Sequence, residues 1–136
     1  MKRRLLLAYQ LLTGVSDTST GILLIVTPAF ALRLMRLHVP LEAFPYLSYI
    51  GVFVLSVGIA CIYGAMLVTR ILFAPKLEVV WLLTAITRGC VTVFVLWKIF
   101  GGTLEAGWIT VAITDGVFAL LQTIGLWRGW LMNAAE

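Results

Sequence analysis

The chain has 136 residues, of which 62% are apolar and only 12% charged, about half the charged share of an ordinary soluble domain. So few polar side chains cannot coat a fold of this size, and the apolar majority must face lipid; a disordered chain, a secreted disulfide scaffold and a freely soluble enzyme are excluded. The net charge of +4 does not signal nucleic acid, because the basic residues sit in small groups at the ends of apolar runs instead of along one face.

Four apolar runs are long enough to cross a bilayer, at about 5–27, 46–69, 77–99 and 105–127. In lipid each segment must satisfy its own backbone hydrogen bonds, so the runs predict helices. The first follows Lys2-Arg3-Arg4 and ends near Ala29-Phe30-Ala31, the small-x-small form of a signal-peptide cleavage site. It is longer than a signal h-region and contains Asp17, so it reads as a span. Pro28 closes it, and Phe30 to Leu37 then places Arg33 and Arg36 three apart among apolar residues, as a short helix lying on the outer surface would. Pro40 and Pro45 flank the start of the second run, Pro75 precedes the third, and Gly101-Gly102 breaks the chain before the fourth. The expected architecture is a single all-α membrane domain covering 1–136, an antiparallel four-helix bundle with a short interfacial helix after the first span.

Lys2, Arg3, Arg4, Arg70, Lys76 and Arg128 fall on the side of the N-terminus, against Arg33, Arg36 and Lys98 opposite. This bias predicts a multi-pass protein of the inner cell membrane with both termini cytoplasmic. Trp81, Trp97, Trp108, Trp127, Trp130, Tyr46 and Tyr49 lie near span ends, where amphipathic rings prefer the interface. Cys61 and Cys90 sit inside spans at different depths and read as small buried hydrophobes. His38 stands in a Pro-flanked loop without Cys or carboxylate at metal spacing, and no metal site is expected.

Three ionisable residues interrupt the runs. At about 1.5 Å per residue, Asp17, Arg88 and Asp115 each lie roughly 16–18 Å from the cytoplasmic start of their span, in one plane near mid-bilayer. Each alone costs about 2.5–3.5 kcal/mol on insertion scales, so charges of opposite sign at equal depth predict contact, with Arg88 between the two aspartates. The polar residues also fall on helical stripes: Gln10, Thr13, Asp17 and Thr20; Trp81, Thr84, Arg88 and Thr92; Trp108, Asp115 and Gln122; and Tyr49, Ser56 and Tyr63. Four such stripes facing inward would make a polar core, with Ser56 at the depth of the charges and Gln10 and Gln122 forming a second, lower layer of hydrogen bonds. Asp17, Arg88, Asp115, Ser56, Thr13, Thr84, Gln10, Gln122, Tyr49 and Tyr63 are the candidate ligand site; none is assigned a catalytic role. The charged set can equally be a network that fixes helix register. Its formal sum of minus one asks for a proton, a cation or a hydrogen-bond donor. Gly14 with Gly21, and Gly51 with Gly58, recur at seven and allow close helix approach, and Gly125 with Gly129 fits a G-x-x-x-G dimer signal.

No P-loop, G-x-G-x-x-G, G-x-S-x-G or haem-ligating histidine occurs, and no cofactor is expected. Gly14 and Gly21, Pro28 followed by Leu32-Arg33-Leu34-Met35-Arg36-Leu37, Gly51 and Gly58, and Arg88 together resemble the DoxX-like group of small four-span bacterial membrane proteins. Arg36 departs from the pattern, which has a glycine after the Leu-rich stretch. The resemblance implies a four-helix bundle, sometimes an accessory subunit of quinone-linked membrane oxidoreductases, and supplies no catalytic residues. Three functions follow as expectations. The first is a membrane protein holding a quinone- or lipid-like ligand or supporting a membrane-protein partner. The second is an intramembrane isomerase with Asp17 and Asp115 as acid and base. The third is a proton or cation carrier, for which a homodimer would supply the path. The lipid bilayer is a partner in every case; nucleic acid is not.

Overall fold

The computed structural model describes residues 3–70 and 73–134; Lys2, counted above among the basic residues, lies outside them. All regular elements among the described residues are helices: α1 (Arg3–Val26), α2 (Pro28–Met35), α3 (Phe44–Val68), α4 (Ala74–Phe100), α5 (Ile109–Trp127) and α6 (Trp130–Asn133), with single 3-10 turns at Leu41–Ala43 and Ala106–Trp108. Pro28, Pro45 and Pro75 stand in the first turn of α2, α3 and α4, where a missing N–H costs nothing. Gly101 caps α4, and Gly102 takes φ 69° to turn the chain. Threonines that would leave a hydroxyl unsatisfied in lipid turn it back on their own helix: Thr13, Thr84, Thr92, Thr114 and Thr123 each donate to the carbonyl four residues earlier.

Three helical stretches are long and apolar enough to cross a membrane: Leu41–Val68, Ala74–Phe100 and Ala106–Trp127. They make this a membrane protein. The first expected span is a helix of 24 residues, about 36 Å long, but it is not among the three. Asp17, Gln10, Thr13, Ser16, Thr18, Ser19 and Thr20 make α1 the most polar of the long helices.

The long helices meet as two antiparallel pairs, α1 along α3 and α4 along α5, with α3 touching α4. Glycine makes the first pair. A Cβ at Gly58 would come within 2.5 Å of the Thr18 backbone nitrogen, one at Gly21 within 2.8 Å of Leu55 Cα, and one at Gly14 within 2.9 Å of the Ile62 nitrogen. Backbone against backbone at this distance is how helices associate in lipid, where no hydrophobic effect draws them together.

The faces of α3 follow from this, and they correct one expectation. Tyr49, Ser56 and Tyr63 do not face inward: Tyr49 is 64% and Tyr63 50% exposed, and Ser56 is exposed with its hydroxyl donating to the Phe53 carbonyl. Gly51 and Gly58 lie two residues on from Tyr49 and Ser56, about 200° around the helix, and they hold the buried side. The short helix α2 forms, but Arg36 is not on it. Arg36 is its C-cap at φ 55° in the left-handed region, the position where the resembled pattern has glycine. Its N–H bonds the Arg33 carbonyl, and Leu37 turns back into a cluster with Leu32 and Leu47.

The opposite end is closed by Leu6, Leu67, Val68, Phe73, Leu77, Trp81 and Leu131. Leu131 comes from α6, which sequence reasoning did not anticipate. Arg3 reaches the end of α3, its Nε donating to the Val68 carbonyl at 2.8 Å and its Nη2 to that of Arg70 at 3.0 Å, and so supplies carbonyls that the helix end leaves orphaned.

Two stability predictions follow, both read as thermal unfolding in mild detergent. Gly58→Leu, pressed against the Thr18 backbone, destabilises by more than the ~1–3 kcal/mol of ordinary overpacking. Arg36→Gly relieves a left-handed arginine and stabilises by about 0.5–1 kcal/mol.

Candidate functional site: a buried arginine between two aspartates

Arg88 lies midway along α4, and its two terminal nitrogens each donate to a carboxylate from another helix, while Nε has no partner among the described residues. Nη1 donates to Asp115 Oδ1 of α5 at 2.7 Å, and Nη2 donates to Asp17 Oδ2 of α1. The three residues expected at one depth are thus in direct contact. The guanidinium also lies over the Phe118 ring, 5.0 Å from its centroid, a cation–π contact that strengthens where water is excluded. The Arg88 side chain is only 3% exposed, whereas those of Asp17 and Asp115 keep 16% and 20%. The cluster is therefore sealed behind the arginine and open in front of the carboxylates, each of which has one oxygen not used by Arg88.

The open side follows from the helix pairing. α1 packs along α3 and α5 along α4, while α1 and α5 share no comparable run of close approach. Side chains bridge the space between the pairs: Arg88 to Asp17, and Tyr9 of α1, which meets Trp81 of α4 edge-on at 5.5 Å and Phe118 of α5 at 5.9 Å. Tyr9 and Phe118 were not among the sequence candidates. Their signal is present, since Phe118 stands three residues after Asp115 and Tyr9 one turn before Thr13, but aromatic residues in an apolar run read as packing.

The remaining candidates divide. Gln10, Thr13, Thr84 and Gln122 are buried. Gln122 Nε2 donates to Thr84 Oγ1 at 2.9 Å, joining α5 to α4. The expected Gln10–Gln122 pair does not form; the Gln10 amide instead lies on Gly64 of α3 and has no hydrogen-bond partner among the described residues. Trp81 is fully buried and not an interfacial anchor, because its ring sits on Gly125, where a Cβ would approach Cζ3 to 2.5 Å. That contact also removes the G-x-x-x-G reading: Gly125 is covered by Trp81 and Trp130, and Gly129 lies beyond α5 at φ 63°. Ser56, Tyr49 and Tyr63 stand on the far face of α3 and take no part. Cys61 is buried, Cys90 exposed, and both are free thiols.

No known family, curated protein or solved structure matches the chain. The cluster has to be read from its own chemistry. If all three groups are ionised it carries one surplus negative charge, on carboxylate edges that are reachable while the cation is not.

Removing the cation separates pairing from packing. Arg88→Met leaves two carboxylates facing each other in the interior and lowers stability by about 3–5 kcal/mol. The triple change Arg88→Met, Asp17→Asn, Asp115→Asn recovers most of that loss. Thermal unfolding of the two variants in the same detergent gives the comparison.

Proposed function

We propose that this chain is a multi-pass membrane protein of the DoxX-like type. Its four long helices form an antiparallel bundle that takes the polar head of an amphipathic ligand at Asp17, Arg88 and Asp115, from the lipid between α1 and α5. The observation that carries the reading is the asymmetry of the cluster: the arginine is buried and both of its carboxylates keep an open edge. An anionic site with free acceptor oxygens selects a head that donates hydrogen bonds, such as a quinol or a sterol-like alcohol, while the apolar tail stays among the helices.

A membrane setting for α1 is supported by its outward residues. Leu5, Leu11, Leu12, Val15, Ile22 and Val26 are exposed, as are Val79, Leu83, Ile86 and Val93 of α4 and Ile113, Val117 and Leu120 of α5. Apolar surface of this extent has no stable place in water. Arg3, Arg4, Arg70, Lys76 and Arg128 all stand at the end where α1 and α4 begin and α3 and α5 finish, which supports a cytoplasmic location for that end.

The test is binding of a short-chain quinol to the purified protein in mild detergent, followed by fluorescence. Asp115→Asn is expected to weaken the quinol at least about tenfold, a change of about 1.4 kcal/mol, while Tyr63→Phe on the outer face leaves binding unchanged. The reading is overturned if the quinol does not bind, or binds Asp115→Asn as well as the parent. Proton flux into liposomes that depends on Asp115, without ligand binding, would replace it by the carrier.

A further inference from the structure

The outward face of α4 has a shape of its own. Ala85, Gly89 and Val93 form one row along the helix and Ile86, Cys90 and Phe94 the next, with Trp97 beyond them. Together they line an open apolar groove of about 580 Å³, a volume in the range of small-molecule sites. The first row is broken at Gly89, where a Cβ would meet no other atom within 4 Å. Ile86, Val93, Phe94 and Trp97 are all exposed.

The groove has the length of one leaflet. At about 1.5 Å per residue, Ala85 to Trp97 is about 18 Å, close to half of a ~30 Å hydrocarbon core. It starts one turn before Arg88, near the middle of the span, and ends at the C-terminal end of α4.

That end is charged. Lys98 Nζ lies 4.8 Å from the centroid of the Trp97 ring and 5.8 Å from that of Phe94, so the ammonium is held over two residues of the groove wall. Both ion pairs among the described residues belong to Arg88, and the Lys98 charge is not matched by a carboxylate among them.

Charge chooses between the occupants of such a face. A second copy packed on it about a two-fold axis along the membrane normal would bring two Lys98 ammoniums to the same depth, as like charges. A phospholipid brings an opposite charge to the ammonium and an apolar chain to the groove.

We propose that the outward groove of α4 binds one anionic phospholipid, its acyl chain along Ala85, Gly89 and Val93 and its phosphate on Lys98. An anionic headgroup is preferred to a zwitterionic one, whose own cation is repelled by the lysine. The site uses no residue of the triad and stands whether or not a quinol binds there.

The test is photo-crosslinking in bilayers of equal parts phosphatidylglycerol and phosphatidylcholine, with a diazirine in the acyl chain of one or the other and the label mapped by mass spectrometry. Labelling of residues 85–97 is expected to be about fivefold higher from phosphatidylglycerol, the preference one lysine gives. Lys98→Gln is expected to abolish that preference, and Lys76→Gln, at the other end of α4, to leave it unchanged. Gly89→Leu is expected to lower labelling by both lipids severalfold without lowering the unfolding midpoint, because its side chain enters the groove and not the fold. Equal labelling by the two lipids in the parent, or a preference that survives Lys98→Gln, overturns the proposal. So does a segment shielded from both lipids in the parent, which would make a second copy its occupant.

Discussion

A guanidinium at mid-depth in α4 is the constraint around which the other helices are arranged. Unpaired, it would be costly in any low-dielectric interior; paired with a single carboxylate, it would tie α4 to one helix only. Arg88 instead takes one carboxylate from α1 and one from α5, and so sets the axial position of both. A shift of either helix by one turn moves its aspartate by about 5.4 Å and breaks the contact. One residue thereby fixes the register of the two helix pairs, a role in which buried ionic groups are well attested.

Within the pairs and between them, packing is solved differently. α1 and α3 approach through Gly14, Gly21, Gly51 and Gly58 until backbone meets backbone. Between α1 and the α4/α5 pair the spacing is filled by large side chains: Tyr9, Trp81, Phe118 and Arg88. Small residues give a dry, rigid contact; large aromatic and polar ones give a seam that contains chemistry. The open carboxylate edges occur on this seam, and α3, which is tied to α1 by glycine, contributes none of the three charged groups.

Much of this was legible in the residues themselves. Helix ends fall within about one turn of the expected ones because proline, glycine and run length are local signals. Asp17, Arg88 and Asp115 stood out because a charge in an apolar run has few places to go. The face of α3 was not legible from its polar residues. Tyr49, Ser56 and Tyr63 recur at seven, but so do Gly51 and Gly58, and in lipid the small residues mark the interior. A serine that bonds its own helix, as Ser56 does, is tolerated outside. Trp81 was read both as an interfacial ring and as a member of an inward stripe, and only the second holds, since proximity to a span end says nothing about which way the ring points. Arg36 was noticed as a departure from a glycine, and the left-handed backbone at φ 55° supplies the physical meaning of that departure.

The most direct measurement is solid-state NMR of the protein in lipid bilayers, with nitrogen-15 in Arg88 and carbon-13 in the side-chain carboxyls of aspartate. Dipolar recoupling should place the guanidinium nitrogens within about 4 Å of both the Asp17 and Asp115 carboxyl carbons. Coupling to only one carboxyl, or to neither, would contradict the shared pairing on which the helix register rests.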